Sequence, residues 1–266
     1  LVKHSVSEGF GGIECLSGIP GLVGASPIQN VGAYGQDVSQ TVREVTWLDR
    51  RTGEVHRFGA AECDFRYRDS RFKRDLWGQA IVLEVVFALR PGATGATLYP
   101  ELRRRAEALG EASPSLATVR NLVLELRRGK GMVLDPGEPN SRSAGSFFMN
   151  PELQPAELLD LETALLSADI EPAALPRYPT GSGRTKVPAA WLIEQAGFQR
   201  GAVHGGAGIS ELHSLALINR GEATAAQILD LASTIQAGVE RCFGIRLRAE
   251  PRMLGFAPTE VARLLG

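Results

Sequence analysis

Apolar positions along the chain keep two rhythms, and together they lay out most of the elements. Val42, Trp47, Leu48, Val55 and Phe58 flank the polar, turn-rich segment 49–53 (DRRTG), a pattern that predicts a hairpin over 42–58. Residues 81–89 (IVLEVVFAL) are β-branched and almost wholly apolar, which reads as a central strand. The rhythm then becomes helical. One helix runs over 99–109 and stops at Gly110. A second starts from a cap at Ser115 and carries Val119, Leu122, Val123 and Leu126 at i, i+3, i+4 and i+7, with Gly129 as its stop. Helices near 155–168 and 188–196, a strand near 214–219, a long helix near 223–243 and a last strand over 245–250 follow. The long helix is expected to bury Ile228, Leu231, Ile235, Val239 and Cys242. Strands and helices mix without a strict βαβ alternation, so the fold class is α+β.

Glycine and proline mark the joints. Residues 129–145 hold Gly129, Gly131, Pro136, Gly137, Pro139 and Gly145, and read as a linker between two domains. Residues 1–8 (LVKHSVSE) read as the tail of a helix already under way, as in a fragment or a processed chain. No repeat, heptad or low-complexity tract is evident.

Composition narrows the function classes. The chain has 266 residues, 44% hydrophobic and 22% charged, which is globular. Lys and Arg number 29 against 30 Asp and Glu, so no basic field points to nucleic acid or an anionic membrane. Three cysteines, Cys15, Cys63 and Cys242, make neither a disulfide framework nor a CxxC zinc motif. Four histidines show no metal-ligand spacing, so no metal is expected. The apolar runs are too short to span a bilayer and no signal peptide opens the chain, which leaves the cytoplasm as the expected compartment. Glycine is over-used, at 30 residues, about 11% against a usual ~7%.

Candidate chemistry gathers where glycine does. Residues 16–35 (LSGIPGLVGASPIQNVGAYG) could set backbone N–H groups against a flat or phosphorylated ligand, and could equally be a structural Ω-loop. Residues 64–73 (DFRYRDSRFK) alternate aromatic and cationic side chains, which suits carboxylate or phosphate capture but also a solvated edge strand. Residues 144–151 (AGSFFMNP) carry a lone serine, Ser146, whose plainer reading is a helix cap. Glu250 stands beside Pro251, and its plainer reading is one half of a surface ion pair. Neither GxGxxG nor a Walker A motif is present, and 181–186 (GSGRTK) reads as an ordinary loop.

The order of IPGLVGASPIQNVGAYG, YRDSRFK, GSFFMNP and RLRAEPRMLG resembles the UDP-N-acetylenolpyruvoylglucosamine reductase family over essentially the whole chain. The resemblance implies a partial FAD-binding domain of the vanillyl-alcohol-oxidase-like kind over 1–130. A substrate-binding α+β domain over 131–254 and a C-terminal segment over 255–266 follow it. It also implies FAD as cofactor, NADPH as reductant, and an enolpyruvyl ether of UDP-N-acetylglucosamine as substrate for a UDP-N-acetylmuramate dehydrogenase. By the same resemblance Arg68 binds the substrate carboxylate, Glu250 is an acid near it, and Ser146 donates a proton. Ile19, Pro20, Gly21, Ala25, Ser26, Ile28, Ala33, Tyr34 and Ile81 match flavin-lining positions. Tyr67, Tyr99, Lys130, Asn150, Arg200 and His213 match substrate-binding positions; His213 stands where the longer members often have Gln. The family's opening subdomain with its GGGSN-like loop has no counterpart in these residues, so half of the flavin cradle is expected to be missing. The alternative expectation is a remnant that binds a UDP-sugar without redox activity. A monomer is expected.

Overall fold

The computed structural model describes residues 1–257, 259, 261 and 262, and the chain divides into two units, Leu1–Arg128 and Gly129–Gly266. Unit 1 runs through α1 (Val2–Ser7), β1 (Phe10–Gly11), α2 (Ser26–Gln29), β2 (Gly32–Ala33), β3 (Gln36–Asp37), β4 (Val42–Asp49) and β5 (Val55–Gly59). It continues with α3 (Arg71–Arg74), β6 (Ala80–Phe87), β7 (Arg90–Pro91), α4 (Pro100–Ala108) and α5 (Leu116–Arg128).

The hairpin over 42–58 forms as β4 and β5, with Val45 opposite Phe58 and Trp47 opposite His56. Trp47 stacks on His56 at 4.7 Å and meets Phe72 edge-on at 6.1 Å, inside the core around Val45 and Phe72. The strand over 81–89 is not central. It forms β6, at the edge of the order β5-β4-β6. A nearly continuous apolar run normally means burial on both faces. In this three-stranded sheet Val82, Val85 and Phe87 pack inward, whereas Ile81, Leu83 and Val86 stay exposed. Residues 64–73 are no edge strand either: they make a tight turn followed by α3, which Ser70 caps by accepting from Lys73 N.

The amphipathic stripe is as its spacing requires. Ser115 Oγ accepts from Thr118 N at 3.0 Å, and Val119, Leu122, Val123 and Leu126 of α5 close over Leu102 and Ala106 of α4. Beside them lies a polar group with almost no exposure, Glu14. Its carboxylate accepts from Gly12 N at 2.7 Å, Gln36 Nε2 at 2.8 Å and Ala96 N at 2.9 Å. The Gln36 amide oxygen in turn accepts from Cys15 N at 2.8 Å. One buried acid thus ties three loops together, and burial raises the adjacent Cys15 thiol to about 12.

Unit 2 comprises β8 (Ser143–Ser146), β9 (Glu152–Leu153), α6 (Pro155–Ser167), β10 (Tyr178–Pro179), β11 (Thr185–Lys186), α7 (Ala189–Gln195), β12 (Val203–His204), β13 (Ala207–Ile209), β14 (Ala216–Asn219) and α8 (Ala225–Phe243). Its main sheet has the order β12-β13-β14-β8, and its named strand pairs, like those of unit 1, are antiparallel, so the chain is α+β. Thr224 and Gln227 form a capping box at the start of α8, and Gly244, at φ 66°, ends it. The buried stripe of α8 is centred on Ala232, Gln236 and Val239 and runs on to Phe243, so Cys242 turns outward and is exposed. Residues 245–250 form no strand; they make a single bridge, Phe148 to Ala249. Residues 129–145 are not a bare linker. Gly131 packs on Asn140, and 143–145 already belong to β8. The expected segment 255–266 includes residues 258, 260 and 263–266, which lie outside the described residues; Phe256 packs against the core of unit 2. Among the described residues no helix is long and apolar enough to cross a membrane.

Replacing Glu14 with Leu would leave two buried N–H donors and one half-buried one unanswered, at about 1–3 kcal/mol each. Urea unfolding of Glu14→Leu is expected to show a loss of about 3 kcal/mol or more, with Glu14→Gln clearly less affected. Equal stability of Glu14→Leu and the parent would refute the assignment.

Candidate functional site

In unit 1 the glycine-rich segment folds as a chain of tight turns. Gly18 and Gly21 take φ of 78° and 119°, a 3-10 turn spans Val23–Ala25, and α2 ends on Asn30 in the left-handed region at φ 48°. A cleft of about 190 Å³ opens here, lined by Ile19, Pro20, Gly21, Leu22, Val23 and Ser26 among others. Its walls are mostly apolar, with the Ser26 hydroxyl and nearby backbone as polar points. Gly24 packs against Val82 of β6, next to exposed Ile81. Of the predicted flavin positions, Ile19, Pro20, Gly21 and Ser26 therefore share one cleft. Ala25 is exposed just beyond it, and Ile28 is packed into the core.

β2 and β3 are joined by two residues, Tyr34 and Gly35, both at positive φ (50° and 87°), as a two-residue hairpin turn of type I′ demands. Positive φ is costly for a bulky side chain. At Tyr34 it directs the ring onto Tyr99, edge-on at 5.4 Å. Burial raises the Tyr34 phenol to about 12, against the opposing pull of the Arg127 cation. Burial lowers Arg127 in turn, with Tyr34 opposing. The motif reading did not single out Arg127; its one signal was a cation at the last turn of an amphipathic helix.

Arg68 also has a left-handed backbone, φ 55°, within a turn closed by Arg66 N to Asp69 O at 2.9 Å and Asp69 N to Arg66 O at 3.1 Å. Its guanidinium donates to the Gly32 carbonyl and lies 5.2 Å from the centre of the Tyr67 ring. A Cβ on Gly32 would come within 2.7 Å of Arg68 Nη1, so only glycine admits this approach. Ala33 follows Gly32 in the same strand. Tyr67 and Arg68 are thereby joined to the hairpin that carries Tyr34.

In unit 2 Ser146 is the last residue of β8, opposite Ala216, and caps no helix. The chain beyond it is laced on both sides. Phe147 N donates to Leu215 O at 2.7 Å, Glu250 N to Phe147 O at 2.8 Å and Met149 N to Arg248 O at 2.9 Å. Phe147 and Phe148 are buried with their rings 5.2 Å apart. The backbone of Glu250 is thus bonded to the residue that follows Ser146, and both Glu250 and Ser146 are half-buried. Asn150 turns elsewhere: its side-chain oxygen accepts from Ala189 N at 2.9 Å, at the start of α7.

A cationic cluster forms around His213. Burial first, then the charges of Lys130 and Arg200, lower its imidazole to about 4. Arg200 also faces Glu194 at 3.4 Å. The neighbouring Ser214 hydroxyl is buried without a hydrogen-bond partner. A neutral imidazole that feels two cations, one half-buried and one exposed, suits an anion that supplies the missing negative charge. Among the described residues no group of acids, histidines and cysteines could hold a metal ion.

Residues 137–254 match the family described as UDP-N-acetylenolpyruvoylglucosamine reductase, C-terminal domain. The UDP-N-acetylenolpyruvoylglucosamine reductase of Thermobifida fusca is 51% identical over 260 residues, which span 96% of this chain and 71% of that protein. The reductase of the same name from Streptomyces coelicolor is 48% identical over 262 residues, 96% of this chain and 67% of that protein. Among solved structures, the UDP-N-acetylenolpyruvylglucosamine reductase of Thermus caldophilus superposes with a TM-score of 0.59 at 22% identity. It covers 94% of this chain and 67% of its own, a likeness of fold.

The depressed His213 value has a signed consequence. Its folded-state pKa lies below the unfolded value of 6.5, so the unfolded chain binds the extra proton. The neutral form's stability is complete above that value and is lost as pH falls from 6.5 towards 4, by about 3 kcal/mol at most. An NMR titration of the His213 ring is expected to turn near pH 4. Between pH 7 and pH 4.5, His213→Gln should lose less stability than the parent. A ring midpoint at or above 6 would overturn this.

Proposed function

This chain belongs to the UDP-N-acetylenolpyruvoylglucosamine reductase family, and on that footing we propose that it reduces the enolpyruvyl ether of UDP-N-acetylglucosamine to UDP-N-acetylmuramate. The reaction would serve peptidoglycan precursor synthesis in the cytoplasm, with FAD bound to unit 1, NADPH as reductant and a monomer as the working form. The observation that supports it most is the lacing of residues 147–149 to 248–250, which ties the backbone of Glu250 to the residue that follows Ser146.

The residues present fit a flavin. The cleft at Ile19, Pro20, Gly21 and Ser26 offers apolar walls to a flat ring, and open backbone at Gly21, where an added Cβ would meet nothing. Ile81, exposed on β6, offers a further apolar surface. When bound, reduced flavin would supply the hydride for C3 of the enolpyruvyl group.

The remaining work falls to side chains. Hydride addition to an α,β-unsaturated carboxylate builds an enolate-like dianion, which a fixed guanidinium stabilises best. Arg68 takes that role. A guanidinium has five N–H donors, so a bond to the Gly32 carbonyl is compatible with a carboxylate clamp. Glu250 takes the part of the acid. Ser146 delivers the proton to C2: serine is a weak acid, so the transfer depends on placement and on a strongly basic carbanion. Tyr34 lines the flavin and supports Tyr99, Tyr99 and Tyr67 contact the substrate, Asn150 orders the start of α7, and Lys130, Arg200 and His213 receive the diphosphate.

The full chain, supplied with FAD, is expected to oxidise NADPH only when the enolpyruvyl substrate is present. Ser146→Ala should reduce its flavin with NADPH at near-parental rate, while reoxidation by substrate slows by at least ~100-fold, the lower end of what positioned acid catalysis contributes. Stopped-flow absorbance separates the two steps. Normal reoxidation in the variant would remove Ser146 from the chemistry. Binding of UDP-N-acetylglucosamine without any NADPH oxidation would favour the plain UDP-sugar binder.

A further inference from the structure

Neither the motif reading nor the chemistry above accounts for what lies behind Arg68. A left-handed arginine costs about 1–3 kcal/mol unless its surroundings hold it there. Several contacts do so. Lys73 Nζ donates to Arg68's own carbonyl at 3.0 Å and to Gln29 Oε1 at 2.7 Å, linking α3 to α2 across the turn. Asn30 Nδ2 donates to the Arg66 carbonyl at 2.9 Å, and Ser70 Oγ to the Ile28 carbonyl at 2.7 Å. Arg74 bridges Asp69, at 2.6 Å, and Asp64. Arg68 is therefore held at both ends, its carbonyl by an ammonium and its guanidinium by the Gly32 carbonyl.

We propose that Lys73 is a positioning residue for Arg68, its ammonium fixing the peptide that sets the left-handed turn and so the direction of the guanidinium. The inference rests on the reading of Arg68 as the carboxylate anchor. Without the ammonium, the Arg68–Asp69 peptide keeps only the bond from Asp69 N to Arg66 O, the left-handed turn opens more readily, and the guanidinium leaves Gly32. The surrounding bonds from Asn30, Ser70 and Arg74 still keep the loop folded, so the effect is one of aim rather than of folding. Arginine at 73 keeps a charge and several donors, whereas methionine keeps only the length and the apolar stem.

Two measurements on the full chain test this. The first needs no ligand. Amide exchange at Asp69, whose N–H closes the turn, should rise about tenfold in Lys73→Met, the scale of one lost charge-assisted hydrogen bond. The β4–β6 amides should keep parental rates. The second compares affinity for the enolpyruvyl substrate, which carries a carboxylate, with that for UDP-N-acetylglucosamine, which does not. Lys73→Met should lose about tenfold of that preference, while Lys73→Arg keeps most of it. Parental exchange together with parental preference in Lys73→Met would overturn the proposal, as would faster exchange spread over all of unit 1, the mark of a merely structural lysine. A parental protein with no preference between the two ligands would instead sink the role given to Arg68, and the exchange result would still decide whether Lys73 holds the turn.

Discussion

A carboxylate removed from water must find donors or give up its charge, and in unit 1 Glu14 meets that demand by drawing three loops to one point. The consequences spread outward. Gln36, fixed by Glu14, anchors β3 and thereby the tight hairpin that forces Tyr34 into a left-handed conformation. Ala96, held by the same oxygen as Gln36, brings residues 97–99 close enough for Leu98 to pack on Gly35 and Tyr99 to meet the Tyr34 ring. Arg68 then leans on the far side of the same hairpin through Gly32. Positions that the proposed chemistry uses thus inherit their geometry from an acid with no part in that chemistry.

Where a signal was periodic, the chain could be read. The hairpin at 42–58, the stripe on α5 and the span of α8 all follow from spacing alone, since one buried face repeated along an element leaves a regular trace. The reading failed where burial depends on how many layers surround an element. Nothing within residues 81–89 tells that their sheet stops after three strands. Cys242 was misplaced because it sits at the flank of the α8 stripe, where a small rotation of the helix decides exposure. Residues 245–250 carry strand-like alternation, but their partner is a two-sided lacing of the GSFF segment rather than a regular ladder.

The candidate site was legible as words rather than as geometry. GSFFMN and YRDSRFK point to Ser146, Asn150 and Arg68, and the glycine-rich stretch points to the cleft. What the words omit are the supports. The structural use of Asn150 at α7, the cation Arg127 behind Tyr34, and the hold of Lys73 on the Arg68 carbonyl each join residues far apart in the chain through one hydrogen bond or one charge. Such single long-range bonds have no period, so no pattern along the sequence announces them.

The separation between Glu14 and Ala96 also sets a timetable for synthesis. The two residues lie 82 positions apart, and β1 pairs with β7 across a similar interval. A ribosome adding roughly 5–20 residues each second needs on the order of 4–16 s to bring out the second partner after the first. Throughout that interval the Glu14 carboxylate remains hydrated, and the apolar segments of the first fifty residues have no complete core to enter. The Glu14 contacts therefore close only after Ala96 has emerged, so the first segments of unit 1 wait longest for their partners.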